Sequence, residues 1–485
     1  MKAPFHSATL ALAAIAALCG CGGGSNGNGD AVAQVALANA LARAQAPAPA
    51  PTPAPPPAAP VVTETAPQPT PCPAAVPTTA SCLAGVDSKG AYYLIAKPAD
   101  WNGKLVLHAH GGPSLDAPTA ERATEDLTRW PVMVDAGYAW AGSTFRQGGV
   151  EVRAAAEDTE RLRGIFRQYV GKPTRTILHG QSWGAGVAAK AAEMFTAETV
   201  GETPYDGVLL SSGVLAGGTR SYDFRTDLRV LYQYLCNNHP RPTETQYPLN
   251  LGLPAGATMT QANLTARVNE CLALNKAAAD RTPEQQSRVD TIVNVIKIPA
   301  SAIQSHINWG TFHYQDISSK RTGNGASPFG NMGVNYIGSA DDAALNAGIA
   351  RYSADPTAYQ RFGADTDPTG KIPVPVLSVK WISDPTAFVE LDAYFKSVMV
   401  QGGSGDRLVQ TFTTNGTHSY ISGPTYPTLV TALLAWVEQG TKPTPAGIAA
   451  ACPANEARFG AGCSFDPTYT PAALETRVPA RTRPQ

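Results

Sequence analysis

Short apolar runs, each closed by glycine, proline or another turn signal, recur through the middle of the chain. They are Leu105-Val106-Leu107, Thr176-Ile177-Leu178, Gly207-Val208-Leu209-Leu210, Val374-Pro375-Val376-Leu377-Ser378-Val379-Lys380-Trp381 and Leu408-Val409-Gln410-Thr411-Phe412-Thr413. Apolar runs of this length that do not alternate with polar residues read as buried strands. A different pattern follows the second of them: Ala185 to Met194 is a run of small residues and helix formers. Between residues 211 and 375 the chain is far longer than the dozen or so residues that one helical crossover needs, so a further structure is inserted there. It contains Thr282-Pro283-Glu284-Gln285, a capping box with proline at the first helical position, followed by apolar residues at helical spacing, Val289, Ile292, Val293, Val295 and Ile296. The aromatics of the insertion, Trp309, Phe312, Tyr314, Phe329 and Tyr336, either line a pocket or form the insertion's own core.

Chemistry concentrates at the ends of the strand-like runs. Gly180-Gln181-Ser182-Trp183-Gly184 lies between the strand ending in Leu178 and the helix beginning near Ala185. A serine at a sharp strand-to-helix turn is lifted to the rim of a sheet, and flanking glycines permit both the strained backbone and the close helix approach. A hydroxyl becomes a useful nucleophile only when a histidine accepts its proton and a carboxylate orients that histidine. His418, in Asn415-Gly416-Thr417-His418, is the one histidine in the last third of the chain and follows the strand ending in Thr413. Asp384 stands just past Trp381, where a strand tip would aim an acid at His418; Glu390, Asp392 and Asp406 are the alternatives. His108 and His110 form an H-x-H pair, which also occurs in metal sites, but Gly111-Gly112-Pro113 follows where further ligands would be needed. No metal is expected. His108 and His179 read as strand-end residues with hydrogen-bond partners, and His110 as part of a structural loop.

Serine, then acid, then histidine is the chain order of the α/β-hydrolases, and the chain resembles that superfamily over roughly residues 85 to 440. The resemblance includes Leu105 to Pro113, which looks like the superfamily's strand followed by the H-G-G-P loop of proline iminopeptidases and related esterases. It implies an α/β-hydrolase sheet with helices on both faces and an inserted, mainly helical cap. It also implies that the backbone amides of Gly112 and Trp183 form an oxyanion hole, of which one donor is typically worth about 3 kcal/mol.

The chain opens with Met1-Lys2 and an apolar run from Ala8 to Leu18, too short for a membrane span and shaped like a signal peptide. Leu18-Cys19-Gly20-Cys21 resembles a bacterial lipobox, which implies cleavage before Cys21 and a lipid on its sulfur. A Gly/Ser/Asn spacer and a Pro/Ala-rich tract follow; at about 3.1 Å per residue the tract makes a stalk on the order of 90 Å. Beyond Cys19 and Cys21 there are six cysteines: Cys72, Cys82, Cys236, Cys271, Cys452 and Cys463. Six allow about 15 connectivities, and sequence does not choose among them, although the spacing suggests three local loops. Such usage fits an oxidising compartment.

A net charge of −1, with no basic block, argues against a nucleic-acid partner. The absence of a Gly-rich phosphate loop leaves no indication of a nucleotide cofactor, and none of any kind is expected.

The expected organisation is a signal peptide (1–20), a lipid-anchored tether (21–71), the first part of the core (72–215), a cap (216–370), the second part of the core (371–440) and a C-terminal extension (441–485). The expected protein is exported, tethered to a bacterial membrane and facing the periplasm or cell surface. Its expected chemistry is acyl transfer through Ser182, His418 and Asp384 on a small-molecule or polymeric ester. A serine peptidase and a non-catalytic binding lipoprotein are the alternatives.

Overall fold

The computed structural model describes residues 63–484. The signal segment, Cys21 and most of the tether lie outside them. Nine strands form a single sheet, β1 (Gln68–Thr70), β2 (Ser81–Val86), β3 (Tyr92–Lys97), β4 (Lys104–Ala109), β5 (Ala139–Ser143), β6 (Arg175–Gln181), β7 (Gly207–Ser211), β8 (Val376–Trp381) and β9 (Leu408–Thr413). Their spatial order is β1-β2-β3-β5-β4-β6-β7-β8-β9. The first three run antiparallel, β3 joins β5 antiparallel, and from β5 across to β9 every neighbour is parallel. This is the expected α/β-hydrolase architecture.

Alternation along the strands divides the core into two layers. Leu107, Leu178 and Leu210 face the helices Val152–Tyr169 and Trp183–Met194, packing with Leu162, Phe166, Ala188 and Ala192. Val106, Ile177, Leu209 and Leu377 face the other way, onto Leu127 of the helix Ala120–Arg129 and Leu429 and Leu433 of the helix Thr425–Gln439. The central strands are thus apolar on both sides, which is why their sequences show unbroken apolar runs.

The insertion between β7 and β8 is mainly helical and has a core of its own. Leu228, Leu231, Val268, Val289, Ile292 and Ile307 pack together from the helices Phe224–Cys236, Gln261–Leu272, Pro283–Ile296 and Ile303–Asn308. The capping box forms as its residues dictate: Thr282 accepts from the Gln285 amide, and the Gln285 side chain returns to the Thr282 amide. Segments of the tail fasten the cap. Leu474 and Val478 enter its core, and Arg481 pairs with the buried Asp227 and Asp223.

Three disulfides, Cys72–Cys82, Cys236–Cys271 and Cys452–Cys463, close local loops. The tether expected to run to residue 71 ends earlier. Gln68–Thr70 already pairs with β2, and Glu64 accepts hydrogen bonds from Ser88. A proline-bearing segment is admissible there because β1 is an edge strand, where a missing N–H goes unmissed. No helix among the described residues is long and apolar enough to cross a membrane.

Candidate active site

Because the strands from β5 to β9 are parallel, the segments that follow β4, β6, β8 and β9 leave from one edge of the sheet, the carboxyl edge where open α/β sheets hold their ligands. The segments are His110–Pro113, the turn at Ser182, the loop carrying Asp384 and the loop carrying His418. Ser182 sits between the last residue of β6 and the first of a helix, with φ 56° and ψ −121°. That left-handed backbone is costly for a residue with a Cβ. It is held by the Ser182 amide donating to Ser211 O (3.0 Å), and by its carbonyl accepting from Ala185 (3.1 Å) and Val214 (3.0 Å). Glycine is required on either side: a Cβ on Gly180 would lie 2.2 Å from Gly184 O, and one on Gly184 would lie 2.1 Å from Ala109 O.

Three side chains from these loops form one hydrogen-bonded line. Ser182 Oγ lies 2.7 Å from His418 Nε2, and His418 Nδ1 lies 2.8 Å from Asp384 Oδ2 and 3.1 Å from Oδ1. With Nδ1 donating to the carboxylate, Nε2 is left as the acceptor facing the serine hydroxyl. Asp384 is buried and its Oδ1 also accepts from the amides of Thr386 (2.8 Å) and Ala387 (3.0 Å), which fixes the carboxylate. Gln181 Nε2 donates to His418 O (2.8 Å) and so ties the histidine loop to the serine turn. The alternative acids lie elsewhere: Glu390 pairs with Arg477, Asp392 with Lys380, and Asp406 is exposed in the turn Gly405–Arg407.

Gly112 and Trp183 border the same cavity as Ser182 and His418, a space of about 340 Å³. Trp183 is the first residue of its helix, so its N–H has no intrahelical partner. The histidines near the edge are otherwise occupied. His110 Nδ1 lies 2.5 Å from Gly111 O and its Nε2 3.1 Å from Thr144 O, and the ring donates to one of the two. His108 and His179 meet Nδ1 to Nδ1 at 3.0 Å, with His179 Nε2 on Ser211 Oγ at 3.0 Å. Burial pushes His179 down to about 3 and His110 to about 4, so both are neutral.

The cap supplies the rest of the wall, and here sequence reading found Trp309 and missed its neighbours. Tyr222, Arg225, Trp309 and His313 all line the cavity. Trp309 and His313, one turn apart in a π-helical segment, stack at 4.6 Å with parallel planes, and Tyr222 leans on Trp309 at 4.1 Å. His313 donates from Nε2 to Pro113 O (3.0 Å), linking the cap to the loop after β4. Of the five aromatics weighed for a pocket only Trp309 reaches this one; Tyr314, Phe329 and Tyr336 are buried in the interior and Phe312 packs on the cap core. Arg225 and His313 carried no motif. The available signal was an arginine embedded among aromatics, Tyr222-Asp223-Phe224-Arg225.

No protein-family model matches the chain, and neither does any curated protein. Similar solved structures include feruloyl esterase B from Aspergillus oryzae, at 13% identity and TM-score 0.39, over 79% of this chain and 87% of that one. Another is the rice cell wall degrading esterase LipA from Xanthomonas oryzae, at 13% identity and TM-score 0.34, over 69% and 83%. A second Aspergillus oryzae esterase matches at 12% identity and TM-score 0.36, over 75% and 81%. At such identities the likeness does not extend to chemistry, and the fold rests on the sheet order given above.

Proposed function

We propose that the protein is a serine hydrolase that cleaves esters through an acyl-enzyme. The observation that carries this reading is the unbroken hydrogen-bonded line from Ser182 through His418 to Asp384, with the serine in its strained turn at the rim of a cavity. Ser182 Oγ attacks the ester carbonyl as His418 Nε2 takes its proton. Asp384 holds the resulting imidazolium, and the amides of Gly112 and Trp183 receive the charge that develops on the carbonyl oxygen. The C–O bond to the alcohol then breaks, with the alcohol taking the proton from His418. Water, activated by the same histidine, hydrolyses the acyl-serine.

A peptidase of the proline iminopeptidase type is the second reading, favoured by the His110–Pro113 and Gly180–Gly184 motifs. Such an enzyme must bind a substrate ammonium, and a desolvated ammonium needs a carboxylate. Arg122, Arg129 and Arg225 line the cavity, and among the described residues no Asp or Glu does. The acidic cap residues Glu270, Asp280, Glu284 and Asp290 are exposed. A binding lipoprotein without catalysis has no use for the oriented triad.

The test is fluorophosphonate labelling of wild type and Ser182→Ala, followed by p-nitrophenyl esters and prolyl p-nitroanilide on one preparation. Labelling lost with Ser182, and esters turned over faster than the anilide, are expected. Labelling that survives in Ser182→Ala removes the nucleophile, and a faster anilide moves the protein to the peptidase class. Three disulfides fit an exported protein. We further propose a lipid on Cys21, tested by whether Cys21→Ser releases the protein from the membrane fraction.

A further inference from the structure

Two arginines one turn apart on the cap helix Phe224–Cys236 differ in how far their guanidinium groups are paired. Arg229 is fully buried and donates to Gly310 O and Thr311 Oγ1 at 2.9 Å and to Gly252 O at 3.2 Å, with its Nε left without an acceptor. Its role is to hold the cap together. Arg225 is 4% exposed and lines the cavity beside Ser182. Among the described residues its guanidinium makes one hydrogen bond, from Nη1 to Ser221 O at 3.3 Å, and its buried Nε has no acceptor. No carboxylate of the described residues lies within ion-pair distance, and the neighbouring Asp223 pairs with Arg481 and Arg483. Burial lowers its pKa to about 10, which leaves it a cation at neutral pH.

The surroundings orient this cation without neutralising it. The guanidinium carbon lies 4.4 Å from the ring centre of Trp309, 4.5 Å from that of Phe224 and 5.3 Å from that of Tyr222. Aromatic contacts of this kind fix the plane of a guanidinium and leave its N–H edge for a planar acceptor. Two further donors buried without partners line the same cavity, Ser221 Oγ and Trp183 Nε1. The other arginines of the wall are already matched: Arg122 and Arg129 both pair with Glu125. A buried charge with no partner is strongly unfavourable, so a site that keeps one open is suited to a ligand that brings the countercharge.

We propose that the substrates are esters bearing a second, free carboxylate, and that Arg225 pairs with it while Ser182 attacks the ester carbonyl. This specificity rests on the hydrolase reading, and the experiment separates the two. A planar carboxylate matches the guanidinium edge with two parallel hydrogen bonds.

The substrates for the test are p-nitrophenyl hydrogen dicarboxylates of rising chain length, each paired with its methyl-capped counterpart, on full-length wild type and Arg225→Gln. At the chain length that spans the two groups, the free acid is expected to have a kcat/KM at least about tenfold above its capped partner, the scale of a charge-assisted hydrogen bond. That ratio is expected to collapse towards unity in Arg225→Gln. A wild type that labels with fluorophosphonate yet favours the capped ester at every length overturns the carboxylate site and leaves the hydrolase standing. If labelling fails, the hydrolase reading falls, and calorimetric titration of wild type with a dicarboxylic monoamide against the corresponding diamide still decides. Tighter binding of the monoamide supports the site, and equal binding overturns it. The wild-type comparisons need no variant to fold.

Discussion

Lys380 and Asp392 form an ion pair at 0% and 1% side-chain exposure, beneath the loop that carries Asp384. Lys380 Nζ also donates to Gly213 O at 2.7 Å and Phe388 O at 3.3 Å, joining the segment after β7 to the segment after β8. Asp392 has, besides the lysine, only Ser378 Oγ at 3.4 Å. Asp392→Asn keeps the shape and leaves the ammonium with two carbonyls but no countercharge. Removing one member of a buried pair costs about 3–5 kcal/mol, and the surviving carbonyl contacts place this substitution near the lower figure. Lys380→Met strips Gly213 O of its donor, at about 1–3 kcal/mol, while Phe388 O keeps the Leu391 amide at 3.0 Å; burial already raises the carboxyl pKa, so Asp392 sheds its charge by taking a proton. The double variant Lys380→Met/Asp392→Leu removes both charges and is expected to be more stable than Asp392→Asn alone. Urea unfolding followed by tryptophan fluorescence measures all three. If each single substitution costs under about 1 kcal/mol, the pair is not the buried, mutually dependent unit described here.

Asp384→Asn is expected to lower kcat by about 10⁴ with unfolding unchanged, because an amide cannot hold the histidine tautomer; near wild-type turnover on p-nitrophenyl esters refutes the assignment. His306, buried against Phe224 and donating to Pro385 O, has its pKa lowered by burial, then by Arg225, from 6.5 to about 3. The unfolded chain therefore binds its proton first, so this stabilisation is complete above pH 6.5 and is lost as pH falls towards 3. By about pH 5 the loss reaches roughly 2 kcal/mol. His306→Gln should flatten the acid limb of thermal midpoint against pH, and an unchanged limb rejects the argument.

The strands, the serine turn and the loops that bear Asp384 and His418 were legible because each follows from local pattern. An apolar run predicts a buried strand, and a parallel sheet puts all its carboxyl ends on one edge, so residues just past those runs must converge. The capping box at Thr282 was legible for the same reason. Local pairing of the cysteines was suggested by spacing alone, since nothing in a sequence measures the distance between two sulfurs. Arg225 was not legible. Its helix carries Arg225, Asp227 and Arg229, side chains that ordinarily meet water, and only the packing of Arg225 on Trp309, of Asp227 on Arg481 and of Arg229 on Gly310 and Thr311 shows that all three are buried. The ordered edge strand at Gln68 was hidden by prolines, which suit both a stalk and a sheet edge.

The three disulfides join cysteines that are neighbours in order along the described chain, separated by 10, 35 and 11 residues. A polypeptide threaded through a membrane presents its thiols in that same order. Oxidation that joins each new thiol to the one just before it therefore produces the native set, with no wrong bond to undo. A thiol still free at Cys21 would compete for Cys72 at the first step, and the thioether-linked lipid proposed for that sulfur would take it out of the sequence of pairings. Modification near the start of the chain would thus protect the fidelity of every crosslink that follows, and an enzyme that reshuffles disulfides would have nothing to correct.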